Sequence, residues 1–264
     1  MTPPRTLVVG DGRAGGAFGR ALTAAGWAVQ VCHHGDDLDA AADGAALVLL
    51  CVPDAAVGAT AAGLVPSPTR VVAHCAGSLG LDVLAGHPLA ASVHPLVALP
   101  DQVTGARRLE GAWFAVAGTP AAAAGTAAEV VAAMGGRMVA VADRDRVRYH
   151  AAAVVASNHM VALLGQVQRI AATAGVPLEA YLDLVRATVD NVADLGPVAA
   201  LTGPVSRGDW GTVARHLDAL PPDECGAYLA MAREAARLAG RELPGHLGGG
   251  GPAGGTHPGP VDAG

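Results

Sequence analysis

The sequence has no lysine, so all 17 of its Lys and Arg positions are arginine. Schiff-base enzymes, pyridoxal-phosphate enzymes and P-loop NTPases all need a lysine amine, so the absence of lysine excludes these classes. The same absence excludes a dehydrogenase whose proton donor is a lysine. Any proton transfer must use another side chain.

Aromatic residues are also scarce, at 3% of the 264 positions, so we expect a core of Val, Leu, Ile and Ala with close backbone packing. The net charge of −6 and the lack of an Arg-rich run argue against a nucleic-acid partner. The longest apolar run, residues 45–52, is too short for a membrane span. Four cysteines without a CxxC pair predict a reduced, cytoplasmic protein.

Apolar runs alternate with helical patterns in the first half of the chain, which predicts an α/β fold with an N-terminal, doubly wound, mostly parallel Rossmann-type sheet. An all-helical C-terminal domain should follow. The predicted domains are a dinucleotide-binding domain at 1–142, a helical substrate and dimerisation domain at 143–242, and a disordered Gly/Pro-rich tail at 243–264. The predicted strands are 6–9, 28–32, 46–52, 70–75, 90–93, 113–117 and 137–141, and the predicted long helices are 16–25, 55–63, 120–134, 143–174, 178–195, 209–220 and 223–240.

A glycine-rich turn follows the first predicted strand and opens a helix, which is the setting of a dinucleotide-binding fingerprint. Its glycines would permit a tight turn, a close approach to pyrophosphate, and close packing of helix on strand. The alternative is a glycine turn that binds nothing. Because ligands gather at the carboxyl ends of strands, we assign cofactor binding to the turn and to residues at neighbouring strand ends: Gly10, Gly12, Arg13, Ala14, Gly15, His33, Val52, Pro53 and His74.

The end of the second strand decides between NADP and NAD. An NAD site usually has an acidic residue there, but the sequence has His33 and His34 and no acid until Asp36. Histidines near Arg13 would attract a 2′-phosphate, so we expect NADP, with NAD less favoured. In the alternative, the histidines are solvated loop residues and Asp36 reaches the ribose.

Several motifs together carry a resemblance to a known family. They are GDGRAGGAF, LLCVPDAAV, VVAHCAGSLG, SVHPLVALP, YHAAAVVASNHMVALL and ALTGPVSRGDW. In this order they resemble the Rossmann-like DUF2520 family, with distant similarity to pyrroline-5-carboxylate reductase, prephenate dehydrogenase and the 6-phosphogluconate dehydrogenase superfamily, which includes ketopantoate reductase. The resemblance spans residues 5–240 and implies an NADP-binding oxidoreductase whose helical second domain forms a homodimer. The lysine general acid of some of these relatives has no counterpart in this chain.

Histidine is the natural proton donor near pH 7, and His94 lies at the end of a predicted strand. Its His-Pro motif resembles that of prephenate dehydrogenases. We interpret His94 as a proton donor or substrate contact, the alternative being a residue that orders its own loop. A second candidate group shares one face of the first long helix by its 3.6-residue period, and its polar members are His150, Ser157 and Asn158. That row could orient a substrate or only make structural hydrogen bonds.

Arg207, before a predicted helix capped by Asp209, is a candidate for binding a substrate carboxylate, although such an arginine is also typical of a surface or interface. Asn191 is a secondary candidate of the same kind. The spacing of the cysteines and histidines matches no zinc signature, so no metal site is predicted.

Together these observations predict NADPH-dependent reduction of a small carbonyl substrate, with a 2-oxo acid such as ketopantoate as the family-based candidate. Two alternatives remain open: an imine reductase of the pyrroline-5-carboxylate reductase type, and a non-catalytic NADP-binding or regulatory protein.

Overall fold

A computed structural model of the chain describes residues 4–33 and 35–248. His34 and residues 249–264 lie outside the described part, and most of the predicted tail is among them. The chain divides into two compact units, Met1–Met160 and the remainder from Val161. This division falls later than residue 142, where the pattern changes from strands to helices.

Seven strands form one sheet in the first unit, in the order β2-β1-β3-β4-β5-β6-β7. All neighbours are parallel except β5 and β6, which are antiparallel. The predicted mostly parallel, Rossmann-type sheet is confirmed. The strands are β1 (Thr6–Val9), β2 (Val29–Cys32), β3 (Leu47–Leu50), β4 (Val71–His74), β5 (Ala90–Pro95), β6 (Trp113–Thr119) and β7 (Arg137–Ala140).

The position of β1 between β2 and β3 creates the crevice in which a Rossmann-type sheet binds ligands. The chain leaves β1 toward β2 and then crosses back to β3 on its other side. At such a reversal the two connections diverge at the carboxyl edge of the sheet and leave space above it. The glycine turn directly follows β1 and therefore lies at this edge.

Helices cover both faces of the sheet, and each face has its own apolar core. One core contains Val8, Phe18 and Phe114, and the other contains Leu7, Leu50 and Val57. Continuous burial of β1 and β3 explains why both read as unbroken apolar runs. The helices of this part are α1 (Arg13–Ala24), α2 (Leu38–Ala42), α3 (Asp54–Ala62), α4 (Gln102–Leu109) and α5 (Ala121–Ala133).

From residue 143 onward the described chain is helical, as predicted. A short 3₁₀ turn, Asp143–Asp145, precedes α6, and a wide π turn, Val155–His159, separates α6 from α7. No helix among residues 4–33 and 35–248 combines the length and hydropathy needed to cross a membrane. The helices are α6 (Arg146–Val154), α7 (Met160–Thr173), α8 (Glu179–Leu195), α9 (Pro197–Ala200), α10 (Pro204–Arg207), α11 (Trp210–Ala219), α12 (Pro222–Leu238) and α13 (Gly245–Gly248).

The second unit has a small core of its own, which includes Val205, Val213 and Ala236. The unit also contains an ion pair, in which Arg169 Nη2 donates to Glu224 Oε2 over 3.1 Å. In addition, Gln166 Nε2 donates to the Glu224 backbone carbonyl over 3.0 Å. These contacts connect α7 with the start of α12.

Candidate functional site

The turn after β1 requires glycine at two of its three fingerprint positions. Gly10 has a φ of +100°, and a Cβ atom there would lie 2.7 Å from the Cys51 carbonyl oxygen. A Cβ atom on Gly15 would overlap the Gly10 carbonyl oxygen, so only glycine lets α1 approach the turn this closely.

Gly12 differs, because no atom lies within 4 Å of a Cβ placed on it, and the N-terminus of α1 receives no hydrogen bond from a capping side chain. The first N–H groups of α1 carry partial positive charge. An open backbone followed by an uncapped helix start fits the pyrophosphate of a dinucleotide. Arg13 is exposed and Ala14 half-buried beside it, and Val52 and Pro53 follow β3 at the same edge.

His33 directly follows β2 and is held by two carboxylates. Its Nδ1 lies 2.9 Å from Asp11 Oδ2 in the glycine turn, and its backbone N–H donates to Asp36 Oδ2 over 2.7 Å. The hydrogen bond with Asp11 raises the pKa of His33 and lowers the pKa of Asp11. His33 therefore favours its charged form more than a free histidine does, and the Asp36 carboxylate is tied to the backbone of β2.

A cluster of aromatic and imidazole side chains lies at the carboxyl ends of β4 and β5. His94 Nδ1 lies 2.8 Å from the Tyr149 hydroxyl oxygen, and the ring centroids of His94 and His150 are 5.8 Å apart, edge to face. Gly77 lies against both imidazoles, since a Cβ atom there would overlap His150 Nδ1 and lie 2.7 Å from His94 Nε2. Glycine at this position thus leaves room for the two rings.

Burial keeps His94 and His74 neutral. The pKa of His94 is lowered to about 4, first by desolvation and then by the charges of His150 and Arg146. Burial also lowers the pKa of His74 and raises the pKa of Tyr149. Near pH 7 the site therefore presents a neutral imidazole at His94 and a protonated hydroxyl at Tyr149.

Hydrogen bonds from three strand ends fix the loop that carries Gly77. Fully buried His74, at the end of β4, has its Nε2 3.1 Å from the Gly80 carbonyl oxygen. Ser78 Oγ donates to Asp54 Oδ2 over 3.0 Å, and the Leu81 N–H donates to Asp143 Oδ2 over 3.0 Å. His74, predicted as a cofactor contact, thus lies inside the sheet and shapes the loop after β4.

Arg146, the first residue of α6, is the one fully buried arginine among the described residues. None of its guanidinium nitrogens has a hydrogen-bond acceptor in the described chain, and its closest carboxylate oxygen, Asp143 Oδ1, is 3.9 Å from Nε. Three and four residues further along α6 are Tyr149 and His150, which places all three side chains on one side of the helix start.

The structure therefore brings two of the predicted catalytic residues together, His94 and His150. Ser157 and Asn158 are exposed in the π turn, where the wider turn interrupts the 3.6-residue period that grouped them with His150. Arg207 ends α10 and Asn191 lies on α8, both exposed and both in the second unit. No group of three potential metal ligands occurs within the described ranges.

Sequence reasoning missed Arg146 and Tyr149. The signal was present as Arg-x-x-Tyr-His in residues 146–150, since the spacing of three and four residues puts those side chains on one helical face. A buried helix face is usually recognised by its apolar residues, so a buried arginine is not detected in this way.

Comparison with known proteins supports the resemblance found in the sequence. Residues 112–235 match the domain of unknown function DUF2520. The matched region begins just before β6 and includes Arg146, Tyr149 and His150, whereas His94 and the glycine turn precede it. No curated protein matches the sequence.

Solved structures show the same fold at low sequence identity. A Bacteroides fragilis protein provisionally called an NADP oxidoreductase matches with a TM-score of 0.76 and 18% identity, over 89% of this chain and 99% of its own. Pyrroline-5-carboxylate reductase from Streptococcus pyogenes matches with a TM-score of 0.61 and 14% identity, over 90% and 100%. Reductive aminase from Aspergillus terreus, in complex with NADPH4, cyclohexanone and allyl amine, matches with a TM-score of 0.59 and 18% identity, over 91% and 89%.

Proposed function

We propose that this DUF2520 protein is an NADPH-dependent reductase of a small carbonyl compound, with 2-oxo acids as the first substrates to test. The observation that carries the proposal is the contact between His94 and Tyr149, beside His150 and Gly77, at the same carboxyl edge as the glycine turn. The fold is shared with proteins named as NADP oxidoreductases and reductases. Ketopantoate is a candidate substrate only because of the family resemblance.

The cofactor would be held at the glycine turn. The open backbone of Gly12 and the uncapped start of α1 suit its pyrophosphate, and Val52 and Pro53 would line the crevice after β3. We propose NADP rather than NAD because the pKa of His33 is raised at the end of β2 and the Asp36 carboxylate is occupied by the His33 N–H. When bound, such a cofactor supplies a hydride to the carbonyl carbon.

The chain's own task is to stabilise the oxygen and deliver a proton. With the Tyr149 hydroxyl donating to His94 Nδ1, the His94 proton resides on Nε2, the nitrogen beside Gly77. A neutral imidazole can then donate this hydrogen bond to the carbonyl oxygen. His150, whose ring contacts that of His94, would help to orient the substrate.

As negative charge develops on the substrate oxygen, the Nε2 proton moves to it and the Tyr149 proton moves to Nδ1. His94 thus returns to its neutral state with the other tautomer, and the negative charge is transferred to the Tyr149 oxygen. Burial raises the pKa of Tyr149, and the Arg146 charge opposes this shift, so Arg146 would stabilise the tyrosinate. A relay of this kind uses His94 without requiring an imidazolium, which its pKa of about 4 disfavours.

The test is NADPH oxidation, followed by absorbance, over a panel of 2-oxo acids and cyclic imines, together with fluorescence titration by NADPH and NADH. Tyr149→Phe and His94→Asn should lower kcat by about 100-fold while NADPH binding stays unchanged. The exposed His159, changed to Gln, is the matched control and should retain full activity.

Other outcomes would replace the proposal. Turnover of cyclic imines alone would point to an imine reductase of the pyrroline-5-carboxylate reductase type. NADPH binding without turnover of any panel member would favour the non-catalytic NADP-binding protein. Failure to bind either cofactor would contradict both the reductase and the NADP-binding assignments.

We also propose that the protein is a homodimer through its helical unit, in the cytoplasm. The four cysteines are free, which suits a reducing compartment. Helix α8 has no buried residue although Leu184, Val189, Val192 and Leu195 lie on it, and a second copy would cover these side chains. Leu184→Asp together with Val192→Asp should shift the sedimentation coefficient from dimer to monomer, while Asp183→Asn should leave it unchanged. A monomeric unmodified protein would contradict the proposal.

A further inference from the structure

Arg146 is unusual because it is a fully buried cation that donates no hydrogen bond to the carboxylate nearest to it, that of Asp143. Its side chain is 0% exposed, and its three guanidinium nitrogens have no hydrogen-bond acceptor among the described residues. Its pKa is lowered by burial, which Asp143 only partly opposes. A guanidinium nevertheless remains charged under physiological conditions, so deprotonation does not relieve the cost of burying it.

The carboxylates near Arg146 do not satisfy it. Asp143 Oδ1 lies 3.9 Å from Nε, beyond hydrogen-bond range, and Oδ2 of the same group accepts the N–H of Leu81. Asp54 accepts the hydroxyl of Ser78. A buried charge without hydrogen bonds destabilises a fold strongly, so a residue of this kind needs a compensating function.

Asp143 apart, the groups on which the Arg146 charge acts are neutral near pH 7 and belong to the proposed active site. They are His74 and His94, whose pKa values are lowered by burial, and Tyr149, whose pKa is raised by burial. His94 and His150 are half-buried, so the cluster that contains Arg146 is only partly closed. Arg146 is thus the single cation of a site in which a carbonyl group would meet His94.

We propose that Arg146 binds a carboxylate of the substrate, so that this reductase acts on anionic 2-oxo acids rather than on neutral ketones, aldehydes or imines. The inference rests on the proposed reductase function for its assignment of the anion as substrate. A planar guanidinium offers paired N–H donors that match the two oxygens of a carboxylate. A 2-oxo acid carries that carboxylate next to its carbonyl group, as a site with Arg146 and His94 in one cluster requires.

The experiment measures binding without turnover. Thermal unfolding of the full chain is followed with 2-oxoisovalerate and with its neutral amide, each in the absence and presence of NADP⁺. The oxo acid should raise the Tm and the amide should not. Arg146→Met should weaken oxo-acid binding by about 100-fold, because it removes hydrogen bonds to a charged group, and its unliganded Tm should equal or exceed that of the unmodified protein.

Arg148→Met is the matched control, since Arg148 lies on the same helix, is 84% exposed and pairs with Asp145. It should bind the oxo acid normally. Oxo-acid binding that survives Arg146→Met, or an equal response to acid and amide, would overturn the proposal. A large drop in unliganded Tm in Arg146→Met would also overturn it, by showing that the Asp143 contact is structural.

Arg146→Lys keeps the charge but lacks the paired donors, so it tests the donors separately from the charge. It should fold and bind the oxo acid at least about 10-fold more weakly; unchanged binding contradicts the proposal. Because no step uses NADPH oxidation, failure of the reductase assay and failure of carboxylate binding are separate results.

Discussion

The lowered pKa of His94 predicts a specific loss of stability in mild acid. In the folded protein this pKa is about 4, against an ordinary value of 6.5. Between these values the unfolded chain binds a proton at His94 and the folded chain does not, so proton uptake favours unfolding. The contribution is therefore fully present above pH 6.5 and decreases as the pH falls toward 4. His94→Gln, which has no titrating ring, should remove this part of the pH dependence.

The size of the effect follows from the two pKa values. At pH 7 both states bear a neutral His94, and its titration hardly affects the free energy of unfolding. At pH 5 the unfolded state is protonated and the folded state is not, and the difference is about 2 kcal/mol. His74, whose pKa is also lowered by burial, adds to the loss in the same direction and remains in the variant.

The assay is chemical denaturation at pH 7 and pH 5, with the free energy of unfolding extrapolated to water. The unmodified protein should lose about 2 kcal/mol more between these pH values than His94→Gln does. His159→Gln, a change at an exposed histidine, should behave like the unmodified protein. Equal losses in His94→Gln and the unmodified protein would refute the claim that His94 is buried in its neutral form.

Further changes test the site and the core. Gly77→Ala should separate the imidazoles of His94 and His150 and lower kcat by about 100-fold. Gly12→Ala, which has open space around its Cβ, should fold normally but weaken NADPH binding in a fluorescence titration. Phe114→Ala removes a fully buried ring and should cost about 3–5 kcal/mol in urea denaturation. Its neighbour Trp113, 44% exposed, is the comparison, and Trp113→Ala should cost much less.

The centre of the sheet was predictable because parallel strands buried on both faces appear in the sequence as continuous apolar runs. Each of the seven predicted strands is present, and the glycine fingerprint locates the first turn. Helix α4 was missed because its mean hydropathy is low and its start depends on Asp101, whose carboxylate accepts the N–H groups of Val103 and Thr104. A capping residue alone does not predict a helix when the segment lacks a long apolar stripe.

The site was predictable only in part, for a similar reason. His94 could be placed at a strand end, and His150 at the start of a helix, but no periodic pattern indicates that their rings meet beside Gly77. That juxtaposition depends on a loop held locally by His74 and, across 24 and 62 residues of sequence, by Asp54 and Asp143. A single sequence does not reveal such contacts.

The missing lysine acquires a physical meaning when the two proposals are combined. A lysine in a reductase site can supply both a positive charge and a transferable proton from one ammonium group. In this chain the two functions would lie on separate side chains, because Arg146 carries a charge that it does not release and Tyr149 holds a proton in contact with neutral His94. Separation has a testable consequence: Arg146→Met should weaken substrate binding without NADPH, whereas Tyr149→Phe should lower kcat and leave oxo-acid binding unchanged. If both variants lost binding and turnover in the same proportion, the two groups would be acting as one structural unit instead.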